Sequence, residues 1–190
     1  MNNYNPNIHH RHTIRLKGYD YSQAGLYFIT ICIQDRKCLF GEIVGIENSQ
    51  PEMVLNDAGK IADKYWLEIP KHFPNAVLHE HMIMPNHVHG IIELKRVDQI
   101  PNQIANNDGT RHVVSVRNQF SHPIPGSVSV IVQQYKSSVK RICNKNDFSH
   151  FRWQSRFYEH IIRNEQSYEQ IAYYIMNNPE NWKEDKFFNG

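Results

Sequence analysis

Three cysteines, Cys32, Cys38 and Cys143, are odd in number and lack a paired metal-binding spacing, which argues against a disulfide framework. No apolar run approaches the length of a membrane span, and the first twelve residues are rich in Asn and His with no apolar stretch of a signal peptide. The expectation is a protein of the reducing cytoplasm with no membrane partner. Charge of one sign is also scarce: 21 Lys and Arg against 19 Asp and Glu leave +2, although a near-neutral total can hide a basic face. There is no internal repeat and no second core. With 40% hydrophobic residues among 190, the chain is expected to form a single domain over 1–190, with a polar N-terminal arm at 1–20.

What is present is a set of periodic segments. Gly25 to Gln34 is dense in β-branched and aromatic residues and predicts a buried strand. Asn56 suits an N-cap, and Ala58, Ile61, Ala62, Tyr65 and Ile69 follow at helical spacing until Pro70. Val77 to Met84 and Val88 to Leu94 predict two strands folded on each other at Pro85-Asn86. Residues 97–126 show no sustained period and predict a loop insertion. From Ser127, Val128, Ile131, Val132, Tyr135, Val139 and Ile142 trace one helical face, with Gln133, Lys136, Ser137, Lys140 and Arg141 on the other. Trp153 to Arg163 predicts a strand, and Ser167 with Gln170 a capping box for a helix running to about Asn178. The order β-α-β-β-α-β-α predicts an α+β fold: a ferredoxin-like antiparallel sheet covered by helices.

His87 and His89 hold the chemistry. One residue apart on a strand, both imidazoles project from the same face, a geometry that can hold a metal. On the last helix Tyr168, Ile171, Ala172 and Ile175 form the buried stripe, Tyr173 and Asn177 point to water, and Tyr174 and Asn178 stack one turn apart along its flank, where they can face the histidines. A phenol, an amide oxygen and two imidazoles together suggest a divalent cation beside a nucleophile. Judged alone, Tyr174 better suits an aromatic sealing the helix edge, and Asn178 a C-cap before Pro179.

Taken together, Arg15 to Tyr21, Met84-Pro85-Asn86-His87-Val88-His89-Gly90, Tyr135 to Lys140, Trp153-Gln154, His160 to Arg163 and Tyr174-Ile175-Met176-Asn177-Asn178-Pro179 resemble the single-tyrosine HUH transposases, above all the REP-associated tyrosine transposases. The resemblance implies a metal site at His87, His89 and Asn178 and a nucleophile at Tyr174. It implies cleavage of single-stranded DNA near hairpins of repeated extragenic palindromes or insertion-sequence ends, through a 5′-phosphotyrosine and a free 3′-hydroxyl. Relatives of this kind occur as monomers and as homodimers, so both states stay open.

DNA contacts are expected from Arg11, Arg15 and Lys17 in the arm, from Lys136, Lys140 and Arg141 on the amphipathic helix, and from Arg152 and Arg156 beside Trp153 and Phe157. For those two aromatic residues, core packing is the better assignment. Two imidazoles favour Mn2+ in affinity while leaving Mg2+ workable. Against the nickase stand two other readings: a domesticated copy that holds DNA hairpins without cutting them, and a metal-dependent hydrolase in which Tyr174 is structural.

Overall fold

The computed structural model describes residues 20–45, 50–96 and 124–188. Arg11, Arg15 and Lys17, and positions 97–123 of the expected insertion, lie outside the described residues. The elements are β1 (Gly25–Cys32), β2 (Gly41–Val44), β3 (Glu52–Leu55), α1 (Asp57–Leu67), α2 (Ile69–His72), β4 (Ala76–Met84), β5 (His87–Leu94), α3 (Val128–Cys143), β6 (Tyr158–Ile162) and α4 (Glu165–Met176). Four strands make an antiparallel sheet in the order β4-β5-β1-β6, and β2 and β3 pair separately. Counting only the sheet strands, the order is 2-3-1-4 with a helix in each crossover. This is the ferredoxin-like arrangement, and the fold is α+β as expected.

Strand parity divides the sheet into two unlike faces. Tyr27, Ile29 and Ile31 of β1 and Val88, Ile92 and Leu94 of β5 join the large core with Ala58, Ala62 and Trp66 of α1 and Ile131, Tyr135 and Val139 of α3. Gly90 belongs to this face because Trp66 lies directly over it: an added Cβ would come within 2.2 Å of the indole Cζ2. On the other face, Phe28 and Ile91 pack with Ile162 and with Ile175 of α4 in a much smaller cluster. His87 and His89 share the parity of Ile91, so they lie on this second face.

The structure corrects several boundaries. Asn56 does cap α1, its side chain accepting from the Gly59 amide at 3.0 Å, but the helix stops at Leu67. Pro70 sits in the first turn of α2, where its missing N–H costs nothing. β1 ends at Cys32, and Ile33 makes only an isolated bridge to Trp153. The strand expected from Trp153 shrinks to β6 because the chain loops out between that bridge and Tyr158, which pairs with Thr30. The cap of α4 is Asn164, which accepts from the Ser167 amide at 2.8 Å, so Ser167 is not the capping residue. The β2–β3 hairpin was not anticipated. Among the described residues no helix is long and apolar enough to cross a membrane.

Candidate metal centre and nucleophile

The Asn86 amide sets up the first imidazole. Its Nδ2 donates to the carbonyls of Arg36 at 3.1 Å and Phe187 at 2.8 Å, leaving Oδ1 as acceptor for His87 Nδ1 at 2.8 Å. His87 therefore carries its proton on Nδ1 and presents a bare Nε2, which is buried and has no hydrogen-bond partner among the described residues. His89 is held by Thr30 Oγ1, 2.9 Å from its Nδ1, and its Nε2 lies 3.2 Å from the Tyr174 hydroxyl. The imidazole centroids are 4.3 Å apart.

Tyr174 sits in the last turn of α4, which ends at Met176 rather than at Asn178, and Asn178 follows its C-cap; both reach a residue that the sequence pattern did not single out. Tyr174 Oη donates to Asp185 Oδ2 at 2.9 Å, and Asn178 Nδ2 donates to the same oxygen at 2.8 Å. Asp185 Oδ1 accepts from the Phe187 amide at 2.7 Å. His87, His89 and Asp185 each offer one ligand atom, all within 4.8 Å of one another. Asn178 Oδ1, like His87 Nε2, is buried without a hydrogen-bond partner among the described residues.

Burial sets the protonation states. It holds His87 down to about 3, against the pull of the Asp185 carboxylate, and holds His89 well below the ordinary imidazole range, with neighbouring His87 adding to the effect. Neutral imidazoles are the form that binds a metal. Burial would raise Asp185, but hydrogen bonds from Asn178, the Phe187 amide and Tyr174 outweigh it and keep the carboxyl ionised below its usual range. Burial and the bond to Asp185 both push the Tyr174 phenol up, so it rests protonated. Two neutral ring nitrogens, one carboxylate and an orphaned amide oxygen fit a divalent cation, because buried polar atoms are otherwise rarely left unpaired.

The four expected site residues are thus brought together, with a correction in detail. The nitrogen of Asn178 faces Asp185, so it orients that carboxylate, and its oxygen alone remains for a cation. Asp185 lies just beyond a 3-10 turn (Trp182–Glu184), outside any periodic segment, and no sequence pattern marked it. His79 pairs with Glu93 and Tyr168, and His81 with Asp63, so both stay out of the shell.

The expected DNA-binding cations divide. Lys140 and Arg141 are exposed on α3, which covers the sheet face opposite the site. Lys136 is not turned outward as the helical period predicts: its Nζ donates to the Gln154 carbonyl at 2.6 Å and also reaches those of Ser155 and Arg156. Arg152 is exposed and donates to the carbonyls of Ser149 and Phe151. Arg156 is exposed on the same side of the sheet as Tyr174. Trp153 is in the core as expected, donating from Nε1 to the Lys136 carbonyl.

Over 185 residues the chain is 40% identical to an uncharacterized protein of Haemophilus influenzae, covering 97% of each. The two chains belong to one family. No family model matches the sequence. Among solved structures, a REP-associated tyrosine transposase bound to a REP hairpin superimposes with a TM-score of 0.53 at 18% identity, over 91% of this chain and 77% of that one. At that identity the likeness concerns the fold.

Proposed function

We propose that this chain is a metal-dependent nickase and strand transferase for single-stranded DNA, acting beside hairpins through a covalent 5′-phosphotyrosine on Tyr174. The observation that carries this reading is the position of the Tyr174 hydroxyl, 3.2 Å from His89 and 2.9 Å from Asp185, at the edge of a three-ligand cluster. The shared fold of a hairpin-bound transposase supports it. Mg2+ or Mn2+ held by His87, His89 and Asp185 would draw charge from the phosphate oxygens as the phosphorus is attacked.

The chain's own residues do the rest. Tyr174 Oη attacks the scissile phosphorus, and its proton leaves along the hydrogen bond it already donates to Asp185 and passes on to solvent. The bond from phosphorus to the 3′-oxygen breaks, and that oxygen takes up a proton from water to leave a 3′-hydroxyl. Attack on the phosphotyrosine by another 3′-hydroxyl reverses these steps and joins strands, because the phosphodiester bond is exchanged rather than hydrolysed. His87, His89 and Tyr174 all come from one chain, so a single copy supplies these groups and a homodimer is not required for them.

A second reading has one observation in its favour. His87 and His89 are 0% and 1% exposed, and the Phe187 ring stands 4.6 Å from the His87 ring, so the cluster is covered on that side. A protein that holds DNA hairpins without cutting them needs no such access. Single-stranded hairpin oligonucleotides incubated with the protein and Mn2+, then run under denaturing conditions, separate the two. A covalent adduct that disappears in Tyr174→Phe supports the nickase, and absence of any adduct across a broad hairpin library supports the binder.

A further inference from the structure

A cleft of about 300 Å³ opens beside the metal centre, on the same sheet face. Thr30 and Cys32 of β1 form its floor, and Tyr158, Phe187, Arg156 and Lys186 form its walls. We propose that this cleft receives one unpaired nucleotide flanking the scissile phosphate, its base against the aromatic rings and its backbone phosphate on the two cations; the proposal rests on the nickase reading above.

Three residues tie the cleft to the chemistry. Thr30, on the floor, is the group that holds His89. Lys186 and Phe187 directly follow Asp185, and the Phe187 ring lies 5.8 Å from the His89 ring. A nucleotide next to a phosphate at Tyr174 therefore has this cleft beside it. The volume is at the small end for ligand sites, enough for one nucleotide unit and too narrow for duplex DNA.

The lining also has the right chemistry. Lys186 Nζ stands 4.9 Å from the Phe187 ring centroid and 5.7 Å from that of Tyr158, and Arg36 lies 5.3 Å from the Phe187 centroid, so cations already rest against both rings. Arg156 adds a further cation, and the residues lining the cleft include no carboxylate. This combination suits an unpaired base with its phosphate, since stacking needs an unstacked base and the cations need an anion. Lys136 acquires a role here. By donating to the carbonyls at 154–156 it fixes the chain segment that bears Arg156, and so shapes the rim rather than touching a phosphate.

The test uses Tyr174→Phe protein, which should hold DNA without cutting it, with 5-bromodeoxyuridine at each position in turn of a single-stranded hairpin oligonucleotide. Irradiation should cross-link one register to Tyr158 or Phe187, read by peptide mass spectrometry, and should give no such product with the same sequence as a duplex. Arg156→Ala and Lys186→Ala change exposed side chains, so the fold should survive. Each should weaken single-strand binding several-fold and lower the salt slope by about one unit. Cross-links confined to the outer side of α3, or unchanged salt slopes in both variants, overturn the proposal. Adduct formation by the unsubstituted protein is read separately: an adduct with no cross-link in the cleft rejects the cleft alone, while a cleft cross-link with no adduct rejects the nickase and supports the cleft.

Discussion

The two faces of the sheet are built from the same strands and do different work. Towards α1 and α3, β1 and β5 present Tyr27, Ile29, Ile31, Val88 and Ile92 to a large apolar core. Towards α4, the alternate positions of those strands present Thr30, His87 and His89, with only a small cluster around Phe28, Ile91, Ile162 and Ile175. Folding free energy scales with buried apolar area, so the first face supplies most of the stability. That surplus offsets the desolvation of unpaired buried atoms, His87 Nε2 and Asn178 Oδ1 on the second face and Trp66 Nε1 on the first. Stability and chemistry should therefore respond to mutation separately.

The largest separation is expected at Tyr174→Phe. Removing the nucleophilic oxygen should lower adduct formation by at least ~10³-fold. The unfolding free energy should change by no more than about 1–2 kcal/mol, since the hydroxyl makes two hydrogen bonds on a half-exposed residue. Adduct yield on denaturing gels and urea unfolding check the two halves. The converse is Trp66→Ala on the first face, where a fully buried indole is lost. It should cost about 3–5 kcal/mol in urea titrations. Mn2+ affinity of the molecules that remain folded should be unchanged by calorimetry.

Smaller effects sharpen the second face. Asp185→Asn should weaken Mn2+ binding by about 10–100-fold, comparable with other losses around a metal shell, with little effect on urea unfolding. Titration by calorimetry checks it, and an unchanged affinity would remove Asp185 from the ligand set. The smallest effect is on pH dependence with chelator present. Burial holds native His87 down to about 3 against an ordinary 6.5, and shifts His89 the same way. Between those values the unfolded chain binds more protons, so stability is fully present above 6.5 and falls as the pH drops through the window. Urea midpoints at pH 7.5 and 5.5 should show this loss, and His87→Gln should reduce it.

What the sequence disclosed follows from periodicity. A period of two placed both imidazoles on one face, and a helical period set Tyr174 and Asn178 on one flank; the structure brings all four together. Asp185 escaped because it lies after Pro179 in non-repeating chain, where no spacing rule applies, and only the folded-back C-terminal segment brings it to Tyr174. Lys136 misled for the opposite reason. Its helical phase points outward, but a segment 18 residues later packs against that phase and supplies carbonyls for its ammonium. The β2–β3 pair escaped because two four-residue strands are too short for alternation to stand out. Asn164 and Ser167 are both good caps three residues apart, and local sequence does not choose between them.

The central claim is that the second face holds a divalent cation within reach of the Tyr174 phenol. Diffraction from crystals soaked with Mn2+, recorded at the manganese absorption edge, tests it most directly. One anomalous peak is expected at bonding distance from Nε2 of His87 and of His89 and from an Asp185 oxygen, beside the Tyr174 hydroxyl. A peak elsewhere on the chain, or none at these imidazoles at millimolar Mn2+, would contradict it.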